Sequence, residues 1–336
     1  MSNSTVVYWA LNGYGVTAFD LFTNLIILVV AVWIIVLNSL VLQSLREHKN
    51  KEATEYYIIN LSIADCLTGV YLIYNTSYNL TNYQKISECL LRFGFGLCLC
   101  ICSGMQTVAL SLDRCIKIVS PFRYTDICNT RYVVIVTITT WTLSILIGLL
   151  PLMGWINPQE NENTCGFMKI LTIGYFQLLI VALFTPCILI VIIYLRIFKE
   201  AHRHAKSIAS SGADSTTTSH SLKFTKTVFI VAGSYLLCWS PMGIVVVLHV
   251  IGGLDDYTYV ERGNLIIYAT APAYINSLLN PVIYALKVPF IRTRFNRIFC
   301  RKREEKGRME LMKTVQTNDV GKTQSTNEKV VLEELQ

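Results

Sequence analysis

The chain has 336 residues, 53% of them hydrophobic and 15% charged, with a net charge of +7. Soluble globular proteins carry roughly 25% charged residues, and the apolar residues here gather in long blocks, which excludes an ordinary water-soluble domain. The basic residues cluster at Arg46 to Lys51, Lys117 to Arg131, Arg196 to Lys206 and Lys287 to Arg308. These connections fall on one side of a membrane once the apolar spans are drawn, so the charge follows the positive-inside rule and argues against nucleic-acid binding.

A bilayer-spanning helix needs about 20 mostly apolar residues. Residues 1–18 precede the first such run and are expected to lie outside the cell, with a glycosylation sequon at Asn3. They carry no basic stretch ahead of an apolar run, so the first span is expected to act as the insertion signal. Spans are predicted at Phe19 to Leu45, Tyr56 to Leu80, Cys89 to Val119, Tyr132 to Met153, Leu171 to Leu195, Phe224 to Ile251 and Leu265 to Leu286. The predicted fold is therefore all-α, a seven-transmembrane helix bundle over 19–287. A second sequon, Asn79-Leu-Thr, falls on the outer side, whereas Asn75-Thr-Ser lies too deep in the second span. Between spans five and six, Ser207 to Ser221 is rich in Ser, Thr, Ala and Gly and reads as a flexible loop. Residues 288–300 alternate Phe290, Phe295 and Phe299 with Arg292, Arg294 and Arg297, the pattern of a short amphipathic eighth helix on the membrane surface. Cys300 at its end is a palmitoylation candidate, and the polar tail 301–336 reads as disordered in the cytoplasm.

Polar and helix-breaking residues inside apolar spans are costly and mark function. Asp65, in Asn-Leu-Ser-Ile-Ala-Asp, is the clearest case. The others are Asn38 in span one, Asp113-Arg114-Cys115 ending span three, Trp141 in span four, Pro186 and Tyr194 in span five, Cys238-Trp239-Ser240-Pro241 in span six and Asn280-Pro281-Val282-Ile283-Tyr284 in span seven. Pro186 and Pro241 each remove a helix hydrogen bond and permit a kink.

One motif per span, in this order, resembles the rhodopsin-like (class A) G-protein-coupled receptors over residues 17 to 300. The resemblance implies coupling to a heterotrimeric G protein, with arrestin, receptor kinases and membrane lipid as further partners. Arg114 is then expected to be held by Asp113 at rest and turned to the G protein on activation, with Tyr194, Pro241, Asn280, Pro281 and Tyr284 in the switch. It implies no cofactor, but an allosteric Na+ on Asp65, Ser103, Asn276 and Asn280, whose oxygens suit a hard cation. It also implies a disulfide between Cys89 and Cys165, with the outer loop as a lid. Four positions depart from the family: Cys115 replaces the usual Tyr, Gly104 and Tyr235 stand where Ile and Phe are frequent, and Ser221 or Leu222 stands where a Glu would lock span six. The last departure predicts noticeable basal signalling.

For the ligand, Gly96 replaces the carboxylate that amine receptors need, and Tyr274 replaces the lysine of opsins. The remaining cavity is expected around Gly96, Leu97, Cys100, Trp239, Val246, Thr270 and Tyr274 beneath Phe167, which suits an apolar or amphipathic small molecule. Arg92 could meet a headgroup at its mouth or snorkel to lipid. Nearer resemblance runs to the adenosine, melanocortin, cannabinoid and lysophospholipid cluster. Ser-Pro-Phe-Arg-Tyr (120 to 124) and Cys165-Gly-Phe167 are similar to adenosine receptors, although Met168 and Val246 replace their purine-gripping residues. Ile-Gly-Leu-Leu-Pro-Leu (147 to 152) and the Cys89 to Arg92 spacing are similar to the lipid-amide (glucose-dependent insulinotropic) receptor. A lipid-like ligand is the expectation, with a nucleoside as the alternative. A transporter would show internal repeats and an intramembrane enzyme a catalytic cluster; neither pattern is present in the sequence.

Overall fold

The computed structural model describes residues 6–9, 15–48, 51–81, 85–157, 166–210, 216–288 and 290–297. Among these, two short strands, β1 (Val6–Trp9) and β2 (Gly15–Thr17), pair antiparallel. The all-α reading lacked this hairpin, because runs of four and three residues are too short to carry a periodicity.

The helices are α1 (Ala18–Glu47), α2 (Ala53–Thr81), α3 (Ile86–Val119), the single turn α4 (Tyr124–Ile127), α5 (Thr130–Leu149), the single turn α6 (Phe167–Ile170), α7 (Ile173–Ser210), α8 (Thr216–Val250) and α9 (Tyr259–Lys287). Seven of them are long. The starts of three are set by local chemistry. Thr17 accepts from the Asp20 amide at 3.2 Å while its own amide donates to the Asp20 carboxylate at 3.0 Å. Thr258 and Glu261 repeat this box at the head of α9, and Asn129 caps α5 through the Tyr132 amide. Each satisfies amides that a helix start leaves without partners. At the other end of α5, Pro151 tightens the chain into a 3-10 turn that stops at Gly154, whose φ of 97° suits glycine alone.

α3 is the central helix, packed on α2, α5, α7 and α8, and α9 closes the ring against α1. Close crossings need small residues. A Cβ at Gly94 would sit 2.5 Å from the Gly148 carbonyl, and one at Gly148 would sit 2.5 Å from the Gly94 carbonyl. About three turns further along α3, Gln106 donates to Thr140 of α5 at 2.8 Å.

Burial runs opposite to that of a water-soluble protein. Asn38, Ser62, Asp65, Ser144, Asn276 and Asn280 are buried, while Val32, Trp33, Ile135, Ile138, Val181, Ile192 and Leu195 are exposed. An apolar belt of this extent belongs in lipid. Six of the helices are long and apolar enough to cross a membrane. The seventh long helix, α9, spans 29 residues but is diluted by Pro272, Asn276, Ser277, Asn280 and Pro281.

The expected loop Ser207 to Ser221 is shorter than its composition suggested. α7 continues to Ser210 and α8 begins at Thr216, because Ala205, Lys206 and Ala209 favour helix strongly enough to extend it past the apolar run. Residues 290–297 form a separate helix in which Ile291 and Phe295 are buried and Phe290 is exposed. Asn3, Cys165, Phe299, Cys300 and the tail 301–336 lie outside the described residues.

Candidate functional site

Three polar centres run along α3, each built on residues that an apolar span would otherwise avoid. At one end Asp113 is 2% exposed. It accepts hydrogen bonds from Thr54 at the head of α2 and from the Tyr124 hydroxyl at 2.9 Å, and Arg114 Nε lies 3.6 Å from its Oδ2. A buried carboxylate needs such donors. Outside them, Lys117 donates to Glu52 and covers the Tyr124 ring at 5.1 Å. The Lys117 ammonium holds the Glu52 carboxyl below the usual carboxylate range. Tyr194 is buried in the core it shares with Cys115 and Ile197, and the Tyr284 hydroxyl is buried without a hydrogen-bond partner among the described residues. Phe122, in the same connecting segment as Tyr124, is 96% exposed. Arg114 is thus ion-paired to its neighbour. Thr54, Tyr124, Glu52 and Lys117 were missed because their contacts reach across the chain; only the Ser-Pro-Phe-Arg-Tyr run hinted at Tyr124.

Midway along the bundle, Asp65 is fully buried and accepts from Ser277 at 2.7 Å and from the Asn280 amide nitrogen at 3.0 Å. Asn38 ties α1 to this region by donating to the Ser277 carbonyl at 3.1 Å. Ser103 Oγ and Asn276 Oδ1 are buried without hydrogen-bond partners among the described residues. Ser277 was missed, although it stands beside Asn276 in the sequence.

Toward the other end, Arg92 is buried, 5% exposed. It donates to Asn75 of α2, lies 3.9 Å from Glu88, and sits over the rings of Tyr78 at 3.8 Å and Phe93 at 4.6 Å. Snorkelling to lipid is therefore corrected: α2 and its aromatics enclose the guanidinium as cation–π partners. Phe93, Phe167, Phe176 and His249 then form an edge-to-face series with centroids 5.1, 5.5 and 4.6 Å apart. Phe167 is held in place by the chain before α7, where Asn157 bonds the carbonyls of Lys169 and Leu171. Cys89 is buried and disulfide-bonded.

The expected cavity residues divide. Leu97, Trp239 and Val246 share one core, with Cys100 and Phe167 packed on it. Tyr274 packs instead with Tyr71. Thr270 spends its hydroxyl on the Ile266 carbonyl at 2.6 Å. Gly96 is not open cavity: a Cβ there would lie 2.6 Å from the Tyr71 ring, so Tyr71 fills that place. Asn79 lies in the last turns of α2, its amide 3.5 Å from Asn24.

An inside-out bundle of long helices, with a buried carboxylate at its centre and an Asp–Arg pair at one end, defines a polytopic membrane receptor. Residues 37–284 match the 7 transmembrane receptor (rhodopsin family) model, and the chain belongs to that family. It is 27% identical over 259 residues to the histamine H2 receptor of Cavia porcellus, covering 74% of this chain and 71% of that one. It is 26% identical over 281 residues to lysophosphatidic acid receptor 1 of Ovis aries, covering 82% and 70%. Against adenosine receptor A2b of Gallus gallus it is 26% identical over 296 residues, covering 81% and 84%. The chain is a G-protein-coupled receptor, a multi-pass protein of the plasma membrane. These relatives are receptors, and their names span an amine, a lysophospholipid and a nucleoside at nearly equal identity, so likeness selects no ligand.

Proposed function

We propose that this receptor responds to an amphipathic, lipid-like small molecule on the Cys89 side of the bundle and passes the signal to a heterotrimeric G protein at Arg114. The observation that carries the ligand class is the enclosed Arg92 guanidinium over the Phe93 ring; Phe93 meets Phe167 edge to face, and Phe167 packs on the core of Leu97, Trp239 and Val246. A cation there attracts a carbonyl, carboxylate or phosphate headgroup, while the apolar core takes the chain. We further assign an extracellular N-terminus and a Cys89–Cys165 staple. Arrestin and receptor kinases are further partners of the Arg114 side, where exposed Phe122 offers an apolar contact. We also assign glycans to Asn3 and Asn79 and a palmitoyl group to Cys300.

Asp65 with Ser103, Asn276 and Asn280 fits a sodium ion: a buried carboxylate group and two buried oxygens without partners are a hard-cation donor set. These residues hold the ion and bias the resting arrangement; Ser277 orients the carboxylate. The nucleoside reading draws support from Phe167 alone, since Val246 supplies no hydrogen bond to a base.

The test is a screen of lysophosphatidic acid, an N-acylethanolamine and adenosine, read as nucleotide exchange on G protein. Response to one of the lipids, weakened tenfold or more by Arg92→Ala and less by Arg92→Lys, supports the reading. Response to adenosine alone, or no effect of Arg92→Ala, overturns it.

A further inference from the structure

We propose that Glu88 of α3 sets the headgroup specificity of this receptor: it neutralises the Arg92 guanidinium in advance, so that the site takes an uncharged, hydrogen-bonding headgroup and refuses an anionic one. The inference rests on the reading of Arg92 as the headgroup anchor, and narrows it. Glu88 and Arg92 stand four residues apart on one face of α3, with Arg92 Nε 3.9 Å from Glu88 Oε1. The guanidinium also donates to the Asn75 side-chain oxygen of α2 and lies over the rings of Tyr78 and Phe93. The Arg92 side chain is 5% exposed and that of Glu88 20%. Water therefore screens the two charges weakly, and each acts strongly on whatever binds beside it.

The carboxylate is held in place. The Tyr74 hydroxyl of α2 donates to the same Oε1 that faces Arg92, which fixes the orientation of the group. The second oxygen, Oε2, is buried with no hydrogen-bond partner among the described residues. Such an acceptor gains from a donor set beside it and is made worse by a second anion. A phosphate or carboxylate brought to Arg92 places that second anion next to Glu88, and like charges this close oppose binding strongly. An uncharged headgroup avoids the conflict: its carbonyl accepts from the guanidinium, and a hydroxyl or N–H donates to the carboxylate. Discrimination of this kind comes from the repulsive partner as much as from the attractive one.

The test compares 1-oleoyl-lysophosphatidic acid with 1-oleoylglycerol, which differ only by the phosphate, on the full-length receptor in membranes, read as nucleotide exchange on G protein. Wild type is expected to respond to the uncharged lipid at a concentration about tenfold or more below that of the phosphate. Glu88→Gln keeps an oxygen for Tyr74 and removes the charge. It is expected to improve the potency of the phosphate about tenfold and to move that of the uncharged lipid less than about threefold. Arg92→Ala, measured alongside, separates the two readings. If it weakens the response while Glu88→Gln leaves the ratio of the two potencies unchanged, Arg92 remains the anchor and only the role of Glu88 is overturned. A wild-type preference for the phosphate overturns it as well. No effect of Arg92→Ala, or no response to either lipid, removes both readings. Should Glu88→Gln not reach the surface, Glu88→Ala carries the same expectation, and failure of both to reach it marks a purely structural ion pair and overturns the proposal.

Discussion

Deleting one oxygen beside Asp113, by Tyr124→Phe, is expected to make the segment 120–128 open about thirtyfold more often. Tyr124 is 8% exposed and donates at 2.9 Å to a carboxylate that is itself 2% exposed, so water cannot readily replace the lost donor. Hydrogen bonds to charged groups contribute roughly 1.5–3 kcal/mol, and ~2 kcal/mol corresponds to about thirtyfold in an equilibrium constant. The phenylalanine retains the ring face that Lys117 covers, which isolates the hydroxyl. Cys128 reports the opening: it is buried and free, and burial next to Asp113 pushes its thiol up to about 11. Maleimide labelling of Cys128, resolved by peptide mass spectrometry with Cys128→Ser as control, tracks the open population when reclosing is fast. Equal labelling rates in Tyr124→Phe and wild type would refute the role given to this hydrogen bond.

Gly148→Ala should lower the melting temperature of the detergent-solubilised receptor, because overpacking a tight crossing costs about 1–3 kcal/mol, and Gly148→Val should cost more; a melting curve unchanged in both would remove the close-approach argument. Sodium should weaken agonist binding to wild-type membranes and leave Asp65→Ala unaffected, and equal sodium sensitivity in the two would dismiss the ion site. Basal second-messenger levels should exceed those of mock-transfected cells, since no Glu stands at the start of α8; parity between the two would contradict that expectation. Thr17→Ala should destabilise the head of α1 by roughly 1 kcal/mol, measured as faster amide exchange at Asp20, and unchanged exchange there would deny the capping box its role.

The bundle was legible because lipid enforces a coarse rule: apolar runs of sufficient length become helices. Asp65, Arg114 and the prolines stood out because each is costly in such a run. Helix ends were less legible. The sequence reading starts α9 at Leu265, although the helix begins six residues earlier, at Tyr259, behind the Thr258–Glu261 box. What one sequence does not display is complementarity between distant positions. Gly96 reads as open space in the sequence, whereas Tyr71 fills it, and Gly104 and Tyr235 read as departures in one packing region without the fit between them. Snorkelling stayed open for Arg92 because two of the residues enclosing it, Asn75 and Tyr78, belong to another helix.

The central claim is that the Arg114 end of this bundle engages a G protein when the opposite end is occupied. Purified receptor in nanodiscs, mixed in turn with representative heterotrimeric G proteins, should accelerate nucleotide exchange, and Arg114→Ala should remove that acceleration while surface expression is retained. Acceleration that survives Arg114→Ala, or none with any G protein, would contradict the account.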